Sequence, residues 1–355
     1  MNSAYTPTEL GGARPARKRR RGLRNLLIAV GVLIALLVIA AGIGYALLSS
    51  SYNEVRRFSI HQDPSLTRPA AVAVADGMQA PINILLLGSD SRESTDPLTN
   101  VEDLTGFRSD AMMVAQVSPD REVVTIVSIM RDNWVPIQGF GEAKINAAFS
   151  LGGLPLAVNT VENFIGARID HVALVDFQSF KGLTDAVGGV TVHNSQAFTA
   201  QNGGGGFTFA EGDITLNGDQ ALSFVRERYA FADGDYQRAR NQQAYLQGLM
   251  KQVLSKGTLT DATKLMDTFN ALKSYLILDE ELDLPEAMRL GFDMRTVRAD
   301  TIEFFTSPTL GTGTSTDGQS IVLPNWAEIA NMQAAFQSGT LAEFAALHGP
   351  GSELP

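Results

Sequence analysis

The chain has 355 residues, a formal net charge of −10, 45% hydrophobic residues and no cysteine. That apolar content supports a packed core and argues against a disordered chain; at roughly 150 residues per domain, one large α/β domain or two to three smaller ones fit. The absence of cysteine excludes structural disulfides, zinc–thiolate centres and thiol nucleophiles, and the acidic balance excludes non-specific nucleic-acid binding, which rests on a surplus of Lys and Arg.

Positive charge is concentrated at the start. Arg14, Arg17, Lys18, Arg19, Arg20, Arg21 and Arg24 stand against Glu9 alone, so residues 1–25 read as a basic cytoplasmic tail. Residues 26–48 are without a charge. At about 1.5 Å per residue, such a run is long enough to cross a hydrocarbon core of about 30 Å. A signal peptide has a shorter apolar region and a small-residue cleavage site, so a retained transmembrane helix is predicted. The basic cluster before it keeps the N-terminus in the cytoplasm and places the remainder of the chain outside.

Residues 49–80, with Pro64, Pro69 and little periodicity, predict an extracytoplasmic linker. Residues 82–87 are too short for a helix and read as a buried strand. Residues 111–117 and 123–129 flank the turn Ser118-Pro119-Asp120-Arg121 and predict a hairpin or adjacent strands. Residues 154–165 have helical spacing, 171–175 read as a strand and 177–187 as a helix. Gly188-Gly189 ends that helix and residues 190–192 resume a strand. This alternation predicts a layered α/β domain over residues 81–346. Gly203 to Gly206 predict a flexible loop rather than a phosphate cradle, because no Lys-Ser/Thr comes after them. Residues 237–254 and 261–275 predict helices, 301–305 a strand, 311–318 a Gly/Thr/Ser loop, and Trp326 opens a helix. Residues 347–355 form a frayed tail.

Charge then recurs where apolar runs end. Asp90 and Arg92 come after the first strand. Arg108-Ser109-Asp110 open the second, and Arg131-Asp132 close the third. The densest set is FVRERYAFADGDYQRARNQQ, with Arg226, Arg228, Asp233, Asp235, Arg238 and Arg240. Any one pair could be a solvated surface ion pair worth under about 1 kcal/mol. Four such segments using Arg throughout suit a ligand with flat, anionic oxygen faces, as phosphates have. Asp90 and Asp110 would repel that ligand unless a hard divalent cation bridged them. His61, His171, His193 and His348 are scattered and read as structural or surface residues.

LLLGSDSR, FRSDAMMV, IVSIMRDNWV, KINAAFSLGG, DFQSFKGLTDAVGGV and ALSFVRERYAFADGDYQRARNQQ occur in that order. Together they resemble the LytR-CpsA-Psr family of bacterial envelope proteins, closely over residues 82–254 and more loosely to about residue 344. The resemblance implies a layered α-β-α domain with a central mixed sheet and an apolar lipid tunnel. It also implies a transferase that moves a glycopolymer from a polyprenyl diphosphate carrier to a peptidoglycan sugar hydroxyl, forming a phosphodiester. Carried over motif by motif, Asp90 and Asp110 match the Mg²⁺ aspartates; Mn²⁺ would suit the same donors. Arg92, Arg108, Arg131, Arg226, Arg228 and Arg238 match the diphosphate arginines, with Asp90, Arg92, Arg131, Arg226 and Arg228 the catalytic set. Asp235 matches the acid that orients the arginines, and Gln242 a glutamine of the site. Met130 stands where the family often has Pro, and Asn241 where many members have Arg. Arg240, one residue off, would point about 100° away on a helix and does not fill that role. Two other readings share these motifs: a hydrolase of the same lipid-linked diphosphate, and a non-catalytic envelope regulator or lipid-binding module.

Overall fold

The computed structural model describes residues 48–59, 64–74, 77, 79–89, 109–201, 206–254 and 262–348. The chain divides into residues 1–50, of which only the helical stretch 48–50 is described, and Ser51–Pro355, which carries the sheet and the site. Among the described residues no helix is long and apolar enough to cross a membrane; the apolar run 26–47 lies outside them.

In chain order the elements are β1 (Arg56–Phe58), β2 (Ile82–Ser89), β3 (Ser109–Val117), β4 (Val124–Ser128), β5 (Trp134–Ile137), β6 (Gly141–Lys144), α1 (Ala147–Ile165), β7 (His171–Asp176) and α2 (Phe177–Ala186). Then come β8 (Val190–Asn194), β9 (Phe198–Thr199), β10 (Thr208–Phe209), β11 (Gly212–Leu216), α3 (Gly218–Arg226), α4 (Asp235–Val253) and α5 (Ala262–Leu272). The chain closes with β12 (Ile277–Asp279), α6 (Leu284–Asp293), β13 (Ile302–Thr306), β14 (Thr309–Thr314), β15 (Ser320–Pro324), α7 (Trp326–Ser338) and α8 (Leu341–His348).

The expected central mixed sheet is present. Its order is β1-β12-β7-β2-β3-β4-β13. β2 runs parallel to β7 and antiparallel to β3, which pairs antiparallel with β4. β13 then adds parallel to β4. The apolar run of β3 has a physical cause. Met112 and Val114 face one core, with α1, α7 and α8, while Met113, Ala115 and Val117 face another, with α4 and α6. Successive side chains point to opposite faces, so a sheet covered on both faces needs unbroken hydrophobicity. β4 is buried at all positions for the same reason.

Several expectations need correction. The stretch 49–80 is more than a linker: Arg56–Phe58 pairs parallel with β12, and Arg57 Nη1 donates to the Leu282 carbonyl at 2.8 Å. Arg68 Nε donates to Glu162 at 2.8 Å, fastening the lead-in to α1. A three-residue strand whose partner lies far along the chain leaves no periodic signal. The 311–318 loop is shorter than expected, confined to 315–318: β14 runs through Thr314 and pairs antiparallel with β15, its β-branched threonines outweighing the interspersed glycines. β8 forms as expected but leaves the central sheet to pair with β11. α1 starts earlier than its periodicity suggests and is broken at Gly152–Gly153, where Gly153 has φ +68°. Residues 203–205 of the glycine run, with Asn202 before them, lie outside the described residues.

Candidate active site

The register of the sheet decides where the site lies. The C-terminal ends of β2, β4, β7 and β13 and the N-terminal end of β3 share one edge of the fold. Arg131 stands just beyond β4, after the buried pair Ile129 and Met130. Two helices and the turn between them supply the other cations of the site. α3 starts in a capping box, where Asn217 Oδ1 accepts from Gln220 N and Gln220 Oε1 from Asn217 N, at 3.0 and 3.1 Å. It ends at Arg226, because Glu227 turns extended (φ −67°, ψ 134°). α4 opens at Asp235 after Gly234, whose φ of +50° favours glycine.

Between β2, β3 and β7 on one side and α2, α3 and α4 on the other lies a cavity of about 370 Å³. Its walls include Leu86, Met113, Val175, Phe180, Leu183 and Leu249, and its polar lining includes Arg131, Arg226, Arg228, Arg238 and Gln242. Five of the sequence-selected residues therefore share one cavity that is otherwise mostly aliphatic and aromatic. Gln242 Nε2 donates to the Val225 carbonyl at 3.3 Å, tying α4 to α3 beside the arginines. Tyr245 lines the same wall; burial pushes its hydroxyl up to about 12, and it bonds Thr184 Oγ1 at 2.7 Å. It stays neutral.

Asp235 sits at the centre of the cations. Its carboxylate lies 3.1 Å from Arg238, 3.5 Å from Arg228 and 3.8 Å from Arg131. Burial opposes its charge, but Arg238 and Arg131, a hydrogen bond with Asp132, and Arg228 outweigh burial and hold this carboxyl below its ordinary range. Asp132 shifts the other way: burial, then the hydrogen bond with Asp235, raise it against Arg131 and Lys144. Lys144 Nζ lies 3.2 Å from Asp132 Oδ1, the carboxyl oxygen opposite the one that pairs with Arg131. Arg228 also donates to the Tyr229 hydroxyl at 2.6 Å and lies over that ring, 4.6 Å from its centroid.

Residues 49–338 match the model of the LytR_cpsA_psr family. The chain belongs to that family. It is 34% identical over 274 residues to the polyisoprenyl-teichoic acid–peptidoglycan teichoic acid transferase TagU of Halalkalibacterium halodurans, covering 75% of this chain and 85% of that relative. It is 30% identical over 315 residues to the TagU of Enterococcus faecalis, covering 88% and 96%. The crystal structure of B. subtilis TagV has the same fold, with a TM-score of 0.62 at 24% identity over 74% of this chain and 98% of that one.

Two departures from the LytR_cpsA_psr pattern have local explanations. Met130 is buried against Ala239, Val322 and Tyr236, a packing change. Asn241 Nδ2 donates to the Phe224 carbonyl at 3.1 Å and its Oδ1 accepts from Gln237 at 2.9 Å, so it binds α4 to α3. Arg240 turns away from the LytR_cpsA_psr cavity to pair with Asp233 and Gln237.

Asp90, Arg92 and Arg108 lie outside the described residues, as does the side chain of Asp110. Asp110 comes directly after Ser109, which pairs with Ser89, and Asp90 comes directly after Ser89 in sequence. Among the described residues no group of three or more His, Asp or Glu could hold a metal. Sequence reasoning did not single out Lys144, Tyr229 or Tyr245; only the adjacency of Tyr229 to Arg228 was a signal.

Proposed function

We propose that this protein transfers a glycopolymer from a polyprenyl diphosphate carrier to a sugar hydroxyl of peptidoglycan, forming a phosphodiester. One observation carries the reading: four arginines, 131, 226, 228 and 238, stand on a cavity whose remaining wall is mostly apolar. A doubly anionic head joined to a hydrocarbon tail matches both parts. The volume falls within the range of sites that enclose most of a small ligand, so it takes up part of a long isoprenoid. The relatives named as teichoic acid transferases support the reaction class.

In this reading the acceptor oxygen attacks the sugar-side phosphorus, the bond to the bridging oxygen breaks, and polyprenyl phosphate leaves. Such transfers depend on positioning and charge stabilisation more than on covalent protein chemistry. Arg131, Arg226, Arg228 and Arg238, with Arg92 and Arg108, hold the phosphoryl oxygens and offset charge on the leaving group. Asp235 keeps the guanidiniums aligned, and Gln242 fixes the neighbouring backbone. Asp90 is the carboxylate assigned to the acceptor's proton. Mg²⁺, held by Asp90 and Asp110, would supply further charge neutralisation; Mn²⁺ would serve in its place. Residues 26–48 would span the membrane once, with the N-terminus cytoplasmic and the catalytic domain outside, close to its lipid substrate.

The test uses the full chain in detergent, a polyprenyl diphosphate-linked glycan and isolated peptidoglycan. Mass spectrometry of muramidase digests should find the glycan joined through phosphate to a peptidoglycan sugar. Free glycan phosphate alone would establish a hydrolase, and an unchanged lipid substrate would leave only a binding module.

A further inference from the structure

Glu227 stands between two arginines that line the cavity, yet it is fully buried. Its extended conformation at the end of α3 explains both facts. Across an extended residue the flanking side chains share one face and the middle one takes the other. Arg226 and Arg228 reach the cavity, and Glu227 turns into the protein. There Oε1 accepts three consecutive backbone N–H groups, from Arg228, Tyr229 and Ala230, at 3.0, 2.7 and 2.9 Å. Oε2 accepts from the Gln201 N–H at 2.7 Å, close to the glycine run.

A carboxylate inside a nest of main-chain N–H groups is the arrangement that otherwise binds a phosphate. Here the protein supplies the anion itself. The loop between α3 and α4 thereby takes its shape before any ligand arrives, and the ordering cost is met at folding rather than at binding. We propose that Glu227 is a positioning residue for the diphosphate: it presets the Arg226–Arg228 pair through the backbone and ties that pair to the strand leading into the glycine-rich segment. This role rests on diphosphate being the ligand of the cavity, and deepens that reading.

The deciding experiment measures, on the full chain in detergent, the affinity for geranylgeranyl diphosphate and for geranylgeraniol, which has the tail without the anion. Glu227→Gln keeps one carbonyl acceptor but sets an amide against one of the N–H donors. It should weaken the diphosphate at least tenfold while leaving the alcohol within twofold. Added to Arg228→Ala it should cost less than it does alone, because part of its effect runs through where the Arg228 side chain is held. Equal losses for both probes, or full additivity with Arg228→Ala, would reduce Glu227 to a general stability role and overturn the proposal. Should the variant not fold, amide hydrogen exchange of the ligand-free wild type decides. Arg228, Tyr229 and Ala230 should be protected, and rapid exchange at all three would refute a preset loop. If the wild type itself ignores the diphosphate, the functional reading fails instead.

Discussion

Asp235 Oδ1 lies 3.1 Å from Arg238 Nη1 and 3.5 Å from Arg228 Nη1, so one carboxylate oxygen serves two guanidiniums from two segments. Asp235→Asn keeps the shape and removes the charge. Without it, Arg131, Arg228 and Arg238 repel one another across a half-buried space. Breaking a buried ion pair costs about 3–5 kcal/mol, and partial exposure here places the expected loss nearer the lower end. Urea denaturation of the variant should show this drop, and added diphosphate should recover part of it by replacing the missing anion. A variant as stable as the wild type would mean the ion pairs hold nothing in place.

Arg226→Ala removes a cation from the cavity wall and leaves the apolar lining intact. Loss of a hydrogen bond to a charged group costs about 1.5–3 kcal/mol. Calorimetric titration with a polyprenyl diphosphate should register that loss in binding. Unchanged affinity would place the diphosphate elsewhere.

Leu183 is buried and lines the cavity. Leu183→Trp should fill the apolar part of the cavity, which the proposed function gives to a hydrocarbon chain. Binding of a polyprenyl phosphate should fall by more than about tenfold, or about 1.4 kcal/mol, while binding of inorganic pyrophosphate persists. Equal binding of both probes before and after the change would remove the cavity from the account.

Away from the site, His171 Nδ1 lies 3.3 Å from Asp279 Oδ1, and Asp279 also accepts the backbone N–H groups of Val172 and Leu282, both at 2.9 Å. Burial works against the imidazolium, but Asp279, then Asp170 and Glu286, outweigh it and raise His171 above 6.5. A group raised in the folded state contributes stability that is complete below its unfolded value and is lost as pH climbs through the folded one. Thermal stability should therefore decline as pH rises above about 6.5 in the wild type. In Asp279→Asn that slope should flatten and overall stability fall. A parallel slope in both proteins would show that the pair does not titrate as stated.

How far fold and site were legible in the sequence depended on the range of each interaction. β2, β3, β4 and β7 declared themselves through continuous apolar runs, because each sheet face is covered. The helices 177–186 and 235–253 carried their own periodicity. β1 did not: its three residues form a strand only by pairing with β12, which no local pattern encodes. β14 read as loop because its glycines spoke louder than the partner strand that fixes it. In the site, Arg131, Arg226, Arg228 and Arg238 stood out as charge at the ends of apolar segments. Tyr245 and Lys144 carried no such signal; the fold brings them beside Thr184 and Asp132.

The aliphatic cavity beneath the arginines has a consequence for the life of the protein. Its walls belong to the same packed layers that hold the sheet to α2, α3 and α4, so an isoprenoid bound there, as the proposed function has it, would add apolar contacts to both. Carrier lipid would then act as a folding partner as well as a reactant, raising the melting temperature in proportion to the logarithm of its concentration. A cell depleted of loaded carrier would hold this protein in its least durable form.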